Sequence, residues 1–90
     1  MAEQEYTISD ESDLDRLASD LRNALQEACN RATADSLETA LMARLRRHLK
    51  KGQSVKVWLT FDADRLRVEY CEASIDKRRL YFQIPNLMKM

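Results

Sequence analysis

The chain has 90 residues, of which 44% are hydrophobic and 33% are charged, and its formal net charge is zero. A chain of this length forms one domain with a thin core, and its single glycine and single proline exclude long linkers and low-complexity segments. No apolar export signal is visible, and no stretch approaches the roughly 20 apolar residues of a membrane span. We therefore expect a cytoplasmic protein that makes no use of a membrane, with Cys29 and Cys71 as reduced thiols, at least one of them buried.

The zero net charge conceals a strong separation of charge along the chain. Residues 1–40 contain ten acids and three bases, whereas residues 41–58 contain six bases and no acid. Residues 59–90 are nearly balanced, with six bases and five acids. This separation predicts surfaces of opposite sign that contact a partner or each other.

The N-terminal segment, residues 1–11, is predicted to form either an edge strand or an arm. Ser12 and Asp15 then have the spacing of a capping box, which predicts that the first helix begins there. Apolar residues recur with the helical period as far as Ala32, so this is an amphipathic helix. An acidic stripe of residues spaced seven apart lies beside its apolar side. The acidic stripe comprises Asp13, Asp20 and Glu27.

Near Asp35 the apolar residues stop following the helical spacing of the first helix. Asp35 is followed three residues later by Glu38, which is the spacing found at the start of a new helix. This spacing predicts a second helix over 36–51 that is ended by Gly52, and hence a helical hairpin over 12–51. A single unbroken helix is the alternative. The outward side of the second helix carries a basic face suited to a protein partner or to nucleic acid. The basic face comprises Arg44, Arg46, Arg47, Lys50 and Lys51.

After Gly52 the apolar period changes from 3.6 to 2, which predicts an antiparallel β-meander of three strands over 54–85 and a tail at 86–90. A two-residue turn at 63–64 aligns the apolar residues of the first two strands on one face. The aligned pairs are Val57 with Tyr70, Leu59 with Val68, and Phe61 with Leu66. In the third strand the alternation predicts that Leu80, Phe82 and Ile84 point inward.

Together these elements predict an α+β fold in a single domain over residues 1–90. The helical hairpin packs on one face of the three-stranded antiparallel meander, and the N-terminal segment supplies a fourth strand if it pairs. The opposite side of the sheet is predicted to bind a partner, because it combines aromatic and basic side chains as interaction hot spots do. This predicted partner-binding face comprises Lys56, Trp58, Arg67, Arg79 and Tyr81.

The residue types that catalysis and metal binding require are scarce in this chain. His48 is the only histidine, and the cysteines lack the spacing of zinc ligands. The single glycine cannot form a Gly-rich phosphate loop. Asp62 and Asp64 flank a predicted turn, where aspartate is common for backbone reasons. We therefore expect no enzymatic activity, no metal ion and no cofactor.

These features favour a small non-catalytic protein–protein interaction module that forms a homodimer. Such a module would be a regulator, an adaptor or an inhibitor of the phage or plasmid type that binds a larger protein. The alternative is a nucleic-acid-binding protein that uses the basic second helix and the outer side of the sheet. The neutral net charge disfavours that alternative, because dedicated nucleic-acid-binding domains are usually basic overall.

Overall fold

A computed structural model describes residues 2–62, 65–75 and 77–85. The elements follow in the order β1 (Ala2–Ile8), α1 (Glu11–Ala28), α2 (Arg31–Lys50), β2 (Val55–Asp62), β3 (Arg65–Glu72) and β4 (Arg79–Pro85). The strands form one antiparallel sheet in the order β1-β2-β3-β4, so the α+β prediction is confirmed and the N-terminal segment is an edge strand. The predicted turn at 63–64 and the tail at 86–90 lie outside the described residues. Neither of the two helices described has the length and apolar character needed to cross a membrane.

The core lies between the helical hairpin and one face of the sheet. Leucines spaced three or four residues apart in each helix share one side, and alternate residues of the strands share the facing side. Each such side chain that leaves water stabilises the fold by roughly 1.5–3 kcal/mol. The largest fully buried side chains are Ile8, Leu14, Leu17, Leu21, Leu25, Leu41, Leu45, Val55, Val57, Leu66 and Val68.

The first helix begins two residues earlier than predicted. Asp10, and not Ser12, is its N-cap, because the Asp10 side chain accepts a hydrogen bond from the backbone N–H of Asp13 at 2.9 Å. The Asp13 carboxylate in turn accepts from the backbone N–H of Ser9 at 3.0 Å. This reciprocal pair satisfies two backbone donors at the helix start, so it performs the capping role that the sequence had assigned two residues later.

The break between the helices lies at Cys29 and Asn30, and the predicted break at Asp35 is wrong. Asn30 caps α2 by accepting a hydrogen bond from the backbone N–H of Thr33 at 2.9 Å. Cys29 has extended backbone angles and still buries its side chain. The apolar pattern therefore continues across the turn, which explains why the phase change appears several residues too late in the sequence.

The second helix ends at a Schellman motif around Gly52, as predicted. Gly52 has a φ of +76°, a left-handed conformation that glycine adopts without steric cost. Its N–H donates to the carbonyl of Leu49 at 3.0 Å, and the N–H of Gln53 donates to the carbonyl of His48 at 3.1 Å. These bonds fix the last turn of α2, where the basic face lies.

The predicted register of the β2–β3 hairpin is confirmed. Val57 pairs with Tyr70, Leu59 with Val68, and Phe61 with Leu66.

In the β3–β4 pair, Ile84 and Phe82 face the core as predicted, and the register then shifts by one residue. Val68 lies opposite Phe82, but Glu69 lies opposite Leu80, so Tyr81 is an extra residue at a β-bulge.

The bulge reverses the predicted facing of the first part of β4. Leu80 was expected inward, but it pairs with Glu69 on the outer face, the sheet face away from the helices, and is 52% exposed. Tyr81 was expected outward, but it is partly buried against the core with its ring centroid 5.6 Å from that of Tyr70. Arg79 also lies on the helix side, because it pairs with Tyr70.

Candidate functional site

The predicted partner-binding face is not assembled as expected. Lys56, Trp58 and Arg67 share the outer face, whereas Arg79 and Tyr81 lie on the helix side of the sheet. Trp58 is only 5% exposed, and the guanidinium of Arg78 lies over its ring, 4.1 Å from the centroid. An exposed aromatic surface of the kind that either a hot spot or a base-stacking platform needs is therefore not formed there.

Arg78 is held over Trp58 by carboxylates on both sides of the ring. Its Nη1 lies 2.6 Å from Glu3 Oε1 on β1 and 3.9 Å from Glu69 Oε1 on β3. Thr60 donates a longer hydrogen bond to the same Glu3 oxygen at 3.4 Å. The hydrogen bond with Glu3 raises the pKa of Arg78 above its ordinary value.

The basic face of α2 divides between two neighbours. Arg46 turns toward α1 and lies 3.7 Å from Glu11, and because both side chains are well exposed this pair adds little stability. Arg44 turns toward the sheet and donates a hydrogen bond to the hydroxyl of Tyr70 at 2.9 Å. The remaining cations of this face are exposed and have no side-chain partner among the residues that the structure describes. They are Arg47, Lys50 and Lys51.

A cleft of about 150 Å³ lies between the end of α2 and the segment that joins β3 to β4. Arg44 and His48 line it from the helix, and Lys77 and Arg79 line it from the joining segment and the start of β4. We call these four residues and the space between them the basic cleft. Sequence analysis missed Lys77, although the run of three cations at residues 77–79 was a visible signal.

Arg44 is preorganised to bind an anion. Its guanidinium lies 5.7 Å from the ring centroid of Tyr70 and 5.5 Å from that of Tyr81, in addition to the hydrogen bond with the Tyr70 hydroxyl. These contacts orient the side chain without neutralising it. Because one hydrogen bond uses only part of its planar set of five N–H donors, the others are available to a carboxylate or phosphate.

The far side of the basic cleft is chemically mixed. His48 Nδ1 lies 2.9 Å from the Gln53 side-chain oxygen and 3.8 Å from a carboxylate oxygen of Glu72. Ile75 also lines the cleft and is 52% exposed. A ligand here would meet several cations, one carboxylate and an apolar side chain, which is a composition that suits an acidic peptide with apolar residues.

Two members of the acidic stripe are engaged within the fold. Asp13 accepts a hydrogen bond from the backbone N–H of Ser9 just before α1, and Asp20 accepts one from the hydroxyl of Tyr6 on β1 at 2.7 Å. Burial, followed by this contact with Asp20, raises the pKa of Tyr6 well above its ordinary value. Glu27 is exposed near the end of α1. Two residues of the acidic stripe therefore connect α1 to β1 and the residue that follows it, whereas Glu27 remains exposed.

Both thiols are free and both are buried, where the sequence predicted that at least one would be. The thiol of Cys29 donates to the carbonyl of Leu25 at 3.3 Å, and burial raises its pKa above the ordinary value. Cys71 lies at the basic cleft but is only 4% exposed. Within residues 2–62, 65–75 and 77–85, no group of three or more His, Cys, Asp or Glu side chains is placed to hold a metal ion.

Comparison of the chain with protein-family models, with curated proteins and with solved structures found no match.

Proposed function

We propose that this protein is a small non-catalytic interaction module that binds an acidic segment of a larger protein through the basic cleft. The observation that carries the proposal is the convergence of Arg44, Lys77 and Arg79 from opposite walls of one cleft. None of the three has a carboxylate partner in the part of the chain that the structure describes. Unpaired cations held in a preformed cleft attract a complementary anionic surface and fix its register.

An acidic protein segment fits this cleft better than a nucleic acid. Glu72 lies within the cleft and repels a phosphate, whereas a peptide can place an apolar or uncharged residue beside it. The acidic start of α1 lies next to the end of α2, as the 3.7 Å contact between Glu11 and Arg46 shows. A long polyanion would therefore meet negative charge beside the cleft. The covered ring of Trp58 also offers no base-stacking platform.

The homodimer remains part of the proposal. Leu80 on the outer face and Ile75 in the segment before β4 are both 52% exposed, and removing large apolar side chains from water favours association. Because the net charge of the chain is zero, two copies have no overall electrostatic repulsion. Multi-angle light scattering would give the mass in solution, and a mass equal to one chain across the accessible concentration range would remove the dimer from the proposal.

The experiment that tests the proposal compares the cleft with matched surface cations elsewhere. Fluorescence anisotropy would follow a labelled peptide of alternating glutamate and alanine, and labelled single-stranded and duplex DNA, at low and moderate salt. We expect an Arg44→Gln, Arg79→Gln double variant to bind the peptide at least about tenfold more weakly, since two charge-assisted contacts are lost.

The matched control is an Arg16→Gln, Arg31→Gln double variant, which removes the same charge. Arg16 lies near Glu5 and Asp13 on the β1 side, and Arg31 begins α2, about 20–25 Å along the helix from the residues that line the cleft. The control should bind as the wild type does. Equal loss in both variants would mean that only net charge matters. Tighter binding of DNA than of peptide, with a steep salt dependence, would instead establish the nucleic-acid alternative.

A further inference from the structure

A tryptophan surrounded by carboxylates lies on the outer face of the sheet and takes no part in the basic cleft. Glu5, Trp58 and Glu69 are direct neighbours across β1, β2 and β3, and Glu3 is the adjacent outer-face residue of β1. An aromatic ring with carboxylates on both sides is complementary to a guanidinium, which stacks on the ring through its plane and donates from its edge.

The protein's own Arg78 shows that a guanidinium fits this place. It lies 4.1 Å from the centroid of the Trp58 ring and contacts Glu3 at 2.6 Å and Glu69 at 3.9 Å. The side chains of Arg78 and Glu3 are nevertheless 43% and 42% exposed, so this contact stands at the surface and is only modestly stable. A cation from outside can therefore compete for the same place.

The carboxylates also exceed what Arg78 alone can neutralise. Glu69 is shared with Arg67, whose Nε lies 3.6 Å away. Glu5 is exposed and stands beside Trp58 in the sheet register; among the described residues it makes no side-chain hydrogen bond or salt bridge, and it acts on Arg78 only through its charge. A guanidinium that enters this face would thus find, next to the ring, a carboxylate that is free to accept a hydrogen bond.

We propose that Trp58, Glu3, Glu5 and Glu69 form a receptor for an arginine side chain of a partner protein, and that Arg78 occupies it as an intramolecular competitor. The receptor lies on the opposite side of the sheet from the basic cleft and does not depend on the function proposed for that cleft. Arginine is favoured over lysine because the ring presents its face to a flat group, and a compact ammonium cannot stack on it.

The intrinsic fluorescence of the protein reports directly on this receptor, because Trp58 is the only tryptophan. An Arg78→Gln variant uncovers the ring, so we expect its emission to shift to longer wavelength and its quenching by acrylamide to rise severalfold. Arg47→Gln is the matched control, since it removes the same charge from an exposed side chain of α2, on the other side of the sheet from Trp58. Unchanged emission and quenching in Arg78→Gln would overturn the assignment of Arg78 as the cover.

Binding is tested with the capped tripeptide Gly-Arg-Gly, with Gly-Lys-Gly and Gly-Glu-Gly for comparison. If Arg78 occupies the receptor about nine-tenths of the time, its removal raises the apparent affinity for Gly-Arg-Gly by about tenfold. Adding Glu3→Gln to Arg78→Gln should abolish that gain. Equal binding with and without Glu3→Gln, or equal binding of the arginine and lysine peptides, would refute the arginine receptor.

A measurement on the wild-type protein completes the test without any substitution. As Gly-Arg-Gly displaces Arg78, the NMR signal of the Arg78 side-chain N–H should move to the position of a solvated arginine. The signal of Arg44, which is bonded to Tyr70 in the basic cleft, should stay where it is. Failure of the Arg78 signal to move at saturating peptide would show that no competition takes place.

Discussion

Replacing Gly52 by alanine should destabilise the protein through the backbone alone. Gly52 has a φ of +76°, and a Cβ added at this position would meet no atom within 4 Å outside its two chain neighbours. The cost therefore has no steric contribution from neighbours and equals that of a left-handed residue with a side chain, about 1–2 kcal/mol. In a domain of this size, each kcal/mol lowers the melting temperature by about 4–8 °C.

Urea and thermal denaturation of Gly52→Ala and Gly52→Asn provide the assay. Asparagine tolerates the left-handed region better than alanine, so we expect Gly52→Asn to lose clearly less stability. The urea midpoint should fall at an unchanged slope, because the surface exposed on unfolding stays the same. Identical midpoints for the wild type and Gly52→Ala would refute the reasoning, and so would equal losses in the two variants.

Three further predictions concern the core, the β1–α1 contact and the thiols. Leu41→Ala should lower the free energy of unfolding by about 2–5 kcal/mol in urea denaturation, because Leu41 is fully buried. Tyr6→Phe should cost about 1 kcal/mol through the lost bond to Asp20. Since the pKa of Tyr6 is raised on folding, its contribution should be complete below about pH 10 and lost as the pH rises beyond it, in stability measurements against pH. Cys29 and Cys71 should react slowly with Ellman's reagent in the native protein and rapidly in urea, and rapid native labelling would contradict their burial.

The hairpin register could be predicted from sequence because both β2 and β3 alternate strictly. With a side-chain period of two, a slip of one residue would move Val57, Leu59 and Val68 to the outer face together. The role of Gly52 at the end of α2 could also be predicted, since a lone glycine after a basic helical turn commonly ends the helix. In both places a local rule and the tertiary structure agree.

The helix break and the bulge could not be predicted because local patterns are regular across them. Cys29 is buried within the turn itself, so the apolar period gives no break at Asn30. Leu80, Phe82 and Ile84 alternate without a glycine or any other sign of irregularity. The tertiary structure decides here, because Tyr81 gains ring contacts with Tyr70 and Phe82, and Leu80 is left exposed.

The candidate sites could be predicted only in part. The cations of α2 were evident from composition, but the basic cleft also needs Lys77 and Arg79, which chain topology brings to Arg44. The contact over the Trp58 ring joins Arg78 to Glu3, and these two residues are 75 positions apart in the sequence. No periodic pattern relates residues at such a distance, so the cover over the ring follows from the three-dimensional fold.

The bulge at Tyr81 also affects how this protein can meet other chains. The strand order leaves β1 and β4 as the two edges of the sheet, where backbone N–H and C=O groups can pair with a foreign strand. The bulge in β4 interrupts that row and twists it, and Glu3 and Glu5 place charge along β1. Strand addition is thus disfavoured at both edges. The protein should therefore not associate through its sheet edges, and it should contact its partners through side chains.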